Sequence, residues 1–141
     1  MKILEVNNLH LDLKNEEVWK PILHGISFEL SNGETLGIVG ESGSGKSVTA
    51  LSIMRLINPK ISKIDEGKIH YFDASNEKEY SLTECSEKEL RQIRGRKIAM
   101  IFQEPMSSLN PVIRCGKQIT EAILLHTDLS KKEAKESNSV V

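Results

Sequence analysis

Apolar and polar positions alternate from Val6 to Leu13, with Leu9, Leu11 and Leu13 on one side and His10 and Asp12 on the other, which predicts a half-buried strand. Lys14-Asn15-Glu16-Glu17 reads as a polar turn, and alternation resumes from Ile22 to Leu30 with Ile26, Phe28 and Leu30 on one face. Asn32-Gly33 then supplies a turn that needs positive φ. Thr35-Leu36-Gly37-Ile38-Val39 is a short apolar run and predicts a buried strand. From Ser47 the period changes to that of a helix, with Val48, Leu51 and Met54 or Arg55 on successive turns, until Asn58-Pro59 ends it.

Gly67 to Phe72 reads as a further strand, and residues 73–86 as polar and irregular. Asp65-Glu66 reads as a solvated turn, because Ser62 and Lys63 interrupt the apolar residues before it. Ser86 is placed to cap a short helix to Arg94, with Glu89 completing a capping box and Gly95 ending it. Lys97 to Phe102 predicts a second buried strand, and Gln103 to Pro111 a loop with two prolines. Cys115 to His126 predicts a helix with Ile119, Ala122, Ile123 and His126 on one face. A last helix is expected over Lys131 to Glu136, capped by Ser130, with residues 137–141 a frayed, disordered tail.

Between the third apolar run and the first helix lie Gly40-Glu41-Ser42-Gly43-Ser44-Gly45-Lys46-Ser47. This is the G-x-x-x-x-G-K-S phosphate-binding loop, Walker A. Its glycines let successive backbone N–H groups turn inward toward phosphate oxygens. Lys46 carries a compact positive charge for the β- and γ-phosphates, and the Ser47 hydroxyl is suited to Mg²⁺. A strand before the loop and a helix after it would aim a helix N-terminus at the same anion. A flexible Gly/Ser turn is the plain alternative, and it accounts for neither the lysine nor the flanking pattern.

The chain has 141 residues, which suits one domain, and a net charge of −1 with 4% aromatic residues. Neither the charge balance nor the aromatic content points to a nucleic-acid partner. The longest uninterrupted apolar run, Ile98 to Phe102, is far short of the roughly 20 residues a membrane span needs, so no direct membrane insertion is expected. Glu5 interrupts the N-terminus before a signal-peptide core could form. Cys85 and Cys115 make no C-x-x-C, and the four histidines (His10, His24, His70, His126) are too scattered for a metal motif.

Residues 32–47, together with Ile98-Ala99-Met100-Ile101-Phe102-Gln103-Glu104-Pro105-Met106-Ser107-Ser108-Leu109-Asn110-Pro111, resemble the ATP-binding subunits of ABC transporters, most of all the dipeptide, oligopeptide and nickel importer group. The resemblance covers residue 3 to about 136 and implies an α/β fold. That fold is a P-loop NTPase (RecA-like) core with N-terminal antiparallel strands, and residues 1–136 would be the N-terminal part of such a domain. It implies ATP and Mg²⁺ as cofactors, with Gly40, Glu41, Ser42, Gly43, Ser44, Gly45, Lys46 and Ser47 around the nucleotide. By position, Gln103 matches the Q-loop glutamine, which touches Mg²⁺ or the attacking water; an ordinary loop-capping amide is the other reading. Trp19 matches the aromatic that stacks on adenine, or else anchors the first hairpin. Segment 104–116 resembles the surface where a membrane subunit docks. Membrane-spanning subunits and a second ATP-binding subunit, identical or not, are the implied partners, and the cytoplasmic face of the membrane is the implied location.

The chain departs from the family pattern in two places. No Leu-Ser-Gly-Gly-Gln signature follows the helical region, and no strand ends in the Asp-Glu of Walker B. The abrupt Ser137-Asn138-Ser139-Val140-Val141 is expected of a truncated or frameshifted end. A nucleotide-binding remnant without turnover is therefore the competing expectation. A small-molecule kinase of another P-loop class is a third, although the chain has no arginine-rich lid and the match over 98–111 argues against it.

Overall fold

The computed structural model describes residues 1–103 and 109–138, with Asn138 described by its backbone alone. Contacts group into two units, Met1–Gln92 and Ile93–Val141.

The first unit is built on a four-stranded antiparallel sheet in the order β2-β1-β3-β4. The strands are β1 (Lys2–Asn15), β2 (Val18–Ser31), β3 (Ser62–Asp73) and β4 (Lys78–Ser81). The hairpin predicted from the two alternating runs is present, and it is longer than the pattern suggested. Lys14 and Asn15 continue β1, so Glu16 and Glu17 alone make the turn, both with positive φ (47° and 69°).

The core face of β1 changes parity along its length. Leu9 and Leu11 are buried as expected, and Val6 is buried with them although it stands an odd number of positions away. An irregularity in pairing between Val6 and Leu9 makes this possible, and Asn8 (φ 47°) is the extra residue that turns the strand. Asn8 is fixed there by its N–H on Ser27 Oγ (2.9 Å) and its Nδ2 on Glu66 Oε1 (2.8 Å). Leu23 of β2 and Ile69 of β3 complete the buried face.

Three local expectations fail in this unit. Asp65 and Glu66 lie inside β3 and not in a turn; they are exposed, and pairing of Ile64 and Glu66 with β1 keeps the segment in the strand across an irregularity at Asp65. Residues 78–81, read as irregular, form β4 by pairing with His70 to Asp73, and the Tyr71 and Tyr80 rings face each other at 6.2 Å. Thr35–Val39, expected as a buried strand, belongs to no strand, and Val39 is 96% exposed.

Helix α1 (Lys46–Ile53) follows the glycine loop as predicted. Its buried residues are Thr49 and Ser52, while Val48 and Leu51 are only partly covered. Each buried hydroxyl donates to a carbonyl one turn back, Thr49 to Gly45 (2.9 Å) and Ser52 to Val48 (2.6 Å), so their burial leaves no donor unmet. Helix α2 (Glu87–Ile93) has the predicted capping box: Ser86 N and Oγ both donate to Glu89 Oε2 (2.9 and 2.8 Å).

In the second unit Gly95 (φ 76°) ends the turn after α2, and a side chain there would strike the ring of His126. The strand expected over Lys97–Phe102 is reduced to one bridge between Arg94 and Ile98, and Ile101 is 92% exposed. Helix α3 (Cys115–His126) has the predicted bounds, but Ile119 and Ala122 of its expected inner face are exposed and Thr120 is its buried residue. Helix α4 (Lys131–Asn138) packs on α3 and buries Ala134. It runs two residues into the segment expected as a disordered tail; residues 139–141 lie outside the described residues.

Candidate functional site

The loop over residues 40–47 closes around its own lysine. Lys46 Nζ donates to the carbonyl oxygens of Gly40 (2.7 Å) and Glu41 (2.6 Å) and lies 3.2 Å from Ser44 Oγ. The bend is tightened by Ser44 N donating to Glu41 O (3.2 Å). Gly40, Glu41, Ser44 and Lys46 are thus brought together in one ring of contacts. Ser42 and Gly43 form its exposed tip, and Gly43 has φ 83°.

Glycine is required at one of these positions, and at another it leaves space that a serine side chain occupies. Gly45 has φ 90°, and a Cβ on it would lie 2.7 Å from Leu23 Cδ2, so both the backbone and the hairpin beneath demand glycine. At Gly40 a Cβ would lie 2.6 Å from Ser44 Oγ, inside the concave side of the bend.

Gly45 is also the N-cap of α1, and no side chain caps the helix. No acidic residue occupies its first turn. The opening amides, with the positive end of the helix dipole, are therefore offered to an external acceptor. Ser47 is the second residue of α1 and is exposed beside the same amides.

The remaining predicted residues lie elsewhere in the chain. Trp19 sits in β2 opposite Lys14, next to the hairpin turn, and is 42% exposed. Gln103 belongs to the second unit, exposed and outside helix and strand. Of the predicted docking segment, residues 104–108 lie outside the described residues. Residues 109–116 are exposed, and Gln118 pins them. Gln118 Nε2 donates to Asn110 O (3.0 Å) and Ile113 O (2.8 Å), and its Oε1 accepts from Asn110 N (2.9 Å).

Sequence reasoning overlooked Leu23 and Gln118. Leu23 supports the loop from another element, which no local pattern reports. The signal for Gln118 was an amide four residues into a helix after a proline-containing loop, a position able to reach back to free carbonyls.

The profile of the ABC transporter family matches residues 23–140. The chain is 46% identical over 134 residues to the oligopeptide transport ATP-binding protein AppD of Bacillus subtilis (strain 168), covering 95% of this chain and 39% of that protein. It is equally similar to the dipeptide transport ATP-binding protein DppD of the same organism, of which it covers 38%. Among solved structures it is similar to the ATP-binding cassette MJ0796 in a dimeric post-hydrolysis state bound to ADP and Pi. That match has a TM-score of 0.75 at 22% identity and covers 98% of this chain and 55% of that one.

The chain belongs to the ABC transporter family, and its fold is a partial ABC ATPase domain. These sequence relatives are peptide transport ATP-binding proteins, and the chain spans less than half of their length.

Proposed function

We propose that this chain is an ATP-binding portion of an ABC importer subunit of the peptide or nickel class, and that residues 40–47 hold the triphosphate. The observation that carries the reading is the position of Lys46. Its ammonium group is already inside the bend, held by the Gly40 and Glu41 carbonyls, beside helix amides with no capping side chain. A phosphate oxygen arriving at those amides would take over the ammonium group as a stronger, charged acceptor. Gly43 and Gly45, both with positive φ, let the loop bend sharply enough to turn its amides toward such an oxygen.

Ser47 would ligate Mg²⁺, and the role proposed for Gln103 is that of the Q-loop glutamine, which touches Mg²⁺ or the attacking water. When bound, the ion would supply charge neutralisation between the β- and γ-phosphates. Trp19 would stack on the adenine. Membrane-spanning subunits and a second ATP-binding subunit, identical or not, would be the partners, at the cytoplasmic face of the membrane. Among the described residues no helix is long and apolar enough to cross a membrane. The reading is supported by the peptide-transport names of the relatives at 46% identity.

Turnover is a separate matter. Hydrolysis needs a carboxylate to position water and an opposing loop to close the site. These 141 residues supply no Asp-Glu after an apolar strand, so this chain by itself is expected to bind Mg-ATP weakly and to hydrolyse none above background. Calorimetry of the full chain with Mg-ATP, beside Lys46→Ala, tests the binding. Unchanged affinity in the variant would place the site elsewhere. Robust ATPase activity of the purified chain, abolished by Lys46→Ala, would refute the absence of turnover.

A further inference from the structure

The first hairpin sets His10 of β1 directly opposite His24 of β2. The next pair along, Leu11 and Leu23, is buried, so alternation turns both histidines to the solvent face of the sheet, away from the loop that Leu23 supports. Directly opposed residues have Cβ atoms about 4.5–5.5 Å apart, a spacing at which two imidazoles can share one small ligand. Gly25, next to His24, has no side chain. A Cβ there would lie 3.0 Å from His10 Nε2, so the His10 ring already reaches across to β2.

His10 is also held in one tautomer. Asn8 Nδ2 donates to Glu66 Oε1 (2.8 Å), because a carboxylate only accepts, and this turns Asn8 Oδ1 toward His10 Nε2 at 3.2 Å. An amide oxygen also only accepts, so Nε2 carries the proton and the lone pair is left on Nδ1. That nitrogen has no hydrogen-bond partner among the described residues, and neither ring nitrogen of His24 has one. An acceptor fixing one ring nitrogen so that the other is free to ligate is the usual support of a metal-binding histidine. Without a ligand between them, two opposed histidines gain little and repel one another once both are protonated.

We propose that His10 and His24 form a binding site for a borderline divalent transition cation such as Zn²⁺, Ni²⁺ or Cu²⁺, one imidazole nitrogen coming from each strand. His10 would ligate through Nδ1, and the exposed His24 would turn its ring to complete the pair. Among the described residues no group of three His, Cys, Asp or Glu side chains is disposed to hold a metal. The two imidazoles are therefore the whole protein contribution, and water would fill the remaining positions. Imidazole nitrogen selects these cations over Mg²⁺ and Ca²⁺, which prefer oxygen ligands. The site is thus separate in chemistry from the Mg²⁺ proposed beside Ser47, and nucleotide is not required for it. A bound cation would pin β1 to β2 immediately behind Leu23.

The test titrates the full 141-residue chain, carrying no polyhistidine tag, with Zn²⁺ in the absence of nucleotide, by calorimetry and by NMR of the histidine rings. One Zn²⁺ per chain is expected. The ring signals of His10 and His24 should move together while those of His70 and His126 stay, and a large excess of Mg²⁺ should not displace the ion. His10→Ala and His24→Ala should each lower the affinity about tenfold or more, whereas Cys115→Ser, which removes an exposed thiol, should leave it unchanged. The unfolding midpoint should rise with Zn²⁺ in the unsubstituted chain and not in the doubly substituted one. Absence of binding, binding that leaves either ring signal unmoved, an affinity unchanged in either histidine variant, or loss of binding in Cys115→Ser would overturn the proposal. The ring signals of the unsubstituted chain decide the matter even where a variant fails to fold.

Discussion

Lys46 Nζ donates to the carbonyl oxygen of Gly40 at 2.7 Å, across six residues of chain. The same side chain that is proposed to hold phosphate thereby holds the loop in shape without it. Its removal has two effects that differ in sign of ligand dependence: loss of a ligand contact, and loss of an internal clasp.

Lys46→Ala should therefore lower Mg-ATP affinity by roughly 10- to 100-fold, the usual loss for a hydrogen bond to a charged group. Its effect on unfolding without ligand should be small, because the released carbonyls at Gly40 and Glu41 belong to exposed residues and water can satisfy them. Calorimetry and urea unfolding on the same variant separate the two effects. Lys46→Arg should keep the charge and still bind less well, since a planar guanidinium does not reproduce a compact ammonium.

Gly45→Ala and Gly43→Ala share a positive φ but not a neighbour. Alanine at 43 would meet nothing within 4 Å, so it should cost about 1–2 kcal/mol of backbone preference. Alanine at 45 adds a collision with Leu23 and should cost appreciably more, about 2–4 kcal/mol, with nucleotide affinity falling as α1 shifts. Urea midpoints of the two variants decide it; equal losses would show that Leu23 gives way.

Arg55 ties the end of α1 to the segment after β4, donating from Nη1 to Cys85 O (2.6 Å) and, more loosely, to Leu82 O (3.4 Å). Arg55→Ala should destabilise the first unit by about 1–3 kcal/mol. Arg55→Lys should recover only part of it, because one ammonium on a shorter reach must replace a planar fork. Thermal unfolding of the three chains gives the order.

The two capping boxes make helix content sensitive to acid. Hydrogen bonds from Ser86 hold the Glu89 carboxyl below its ordinary range, and those from Ser130 do the same for Glu133. A carboxyl depressed in the folded state stabilises fully above its unfolded value, and that contribution drains away as pH falls through the folded one. Helical circular dichroism should thus decline on acidification below the ordinary glutamate range. In Glu89→Gln with Glu133→Gln that part of the pH dependence should flatten.

How much of this was legible in the sequence depended on how local each cause is. The Ser86–Glu89 box, the Asn32-Gly33 turn and the helix after Lys46 are set by neighbours within one turn of chain, and each was read correctly. The sheet strands β1 and β2 were read from alternation, but the parity change at Asn8 depends on Ser27 and Glu66, nineteen and 58 residues away, which no window contains. Strand β4 is short and polar, and register against His70–Asp73 alone makes it a strand. Residues 35–39 show the opposite failure: strand character is written in the side chains, but a strand also needs a partner, and none is present among the described residues. For the candidate site, the loop residues and Lys46 stood out in the sequence because the spacing of the motif carries the chemistry proposed for them. Leu23 beneath Gly45 was not, because steric support from another element leaves no spacing to read.

The β1–β2 turn has a further consequence for assembly. Pairing between strands joined by only Glu16 and Glu17 closes a very small loop, so this ribbon costs less chain entropy to form than any other pairing in the sheet. It also lies ahead of the glycine loop in the order of synthesis. The residues of the floor it provides, Leu23 among them, are thus made before the glycine loop that rests on it, so the bend at Gly45 has its support at hand as it forms.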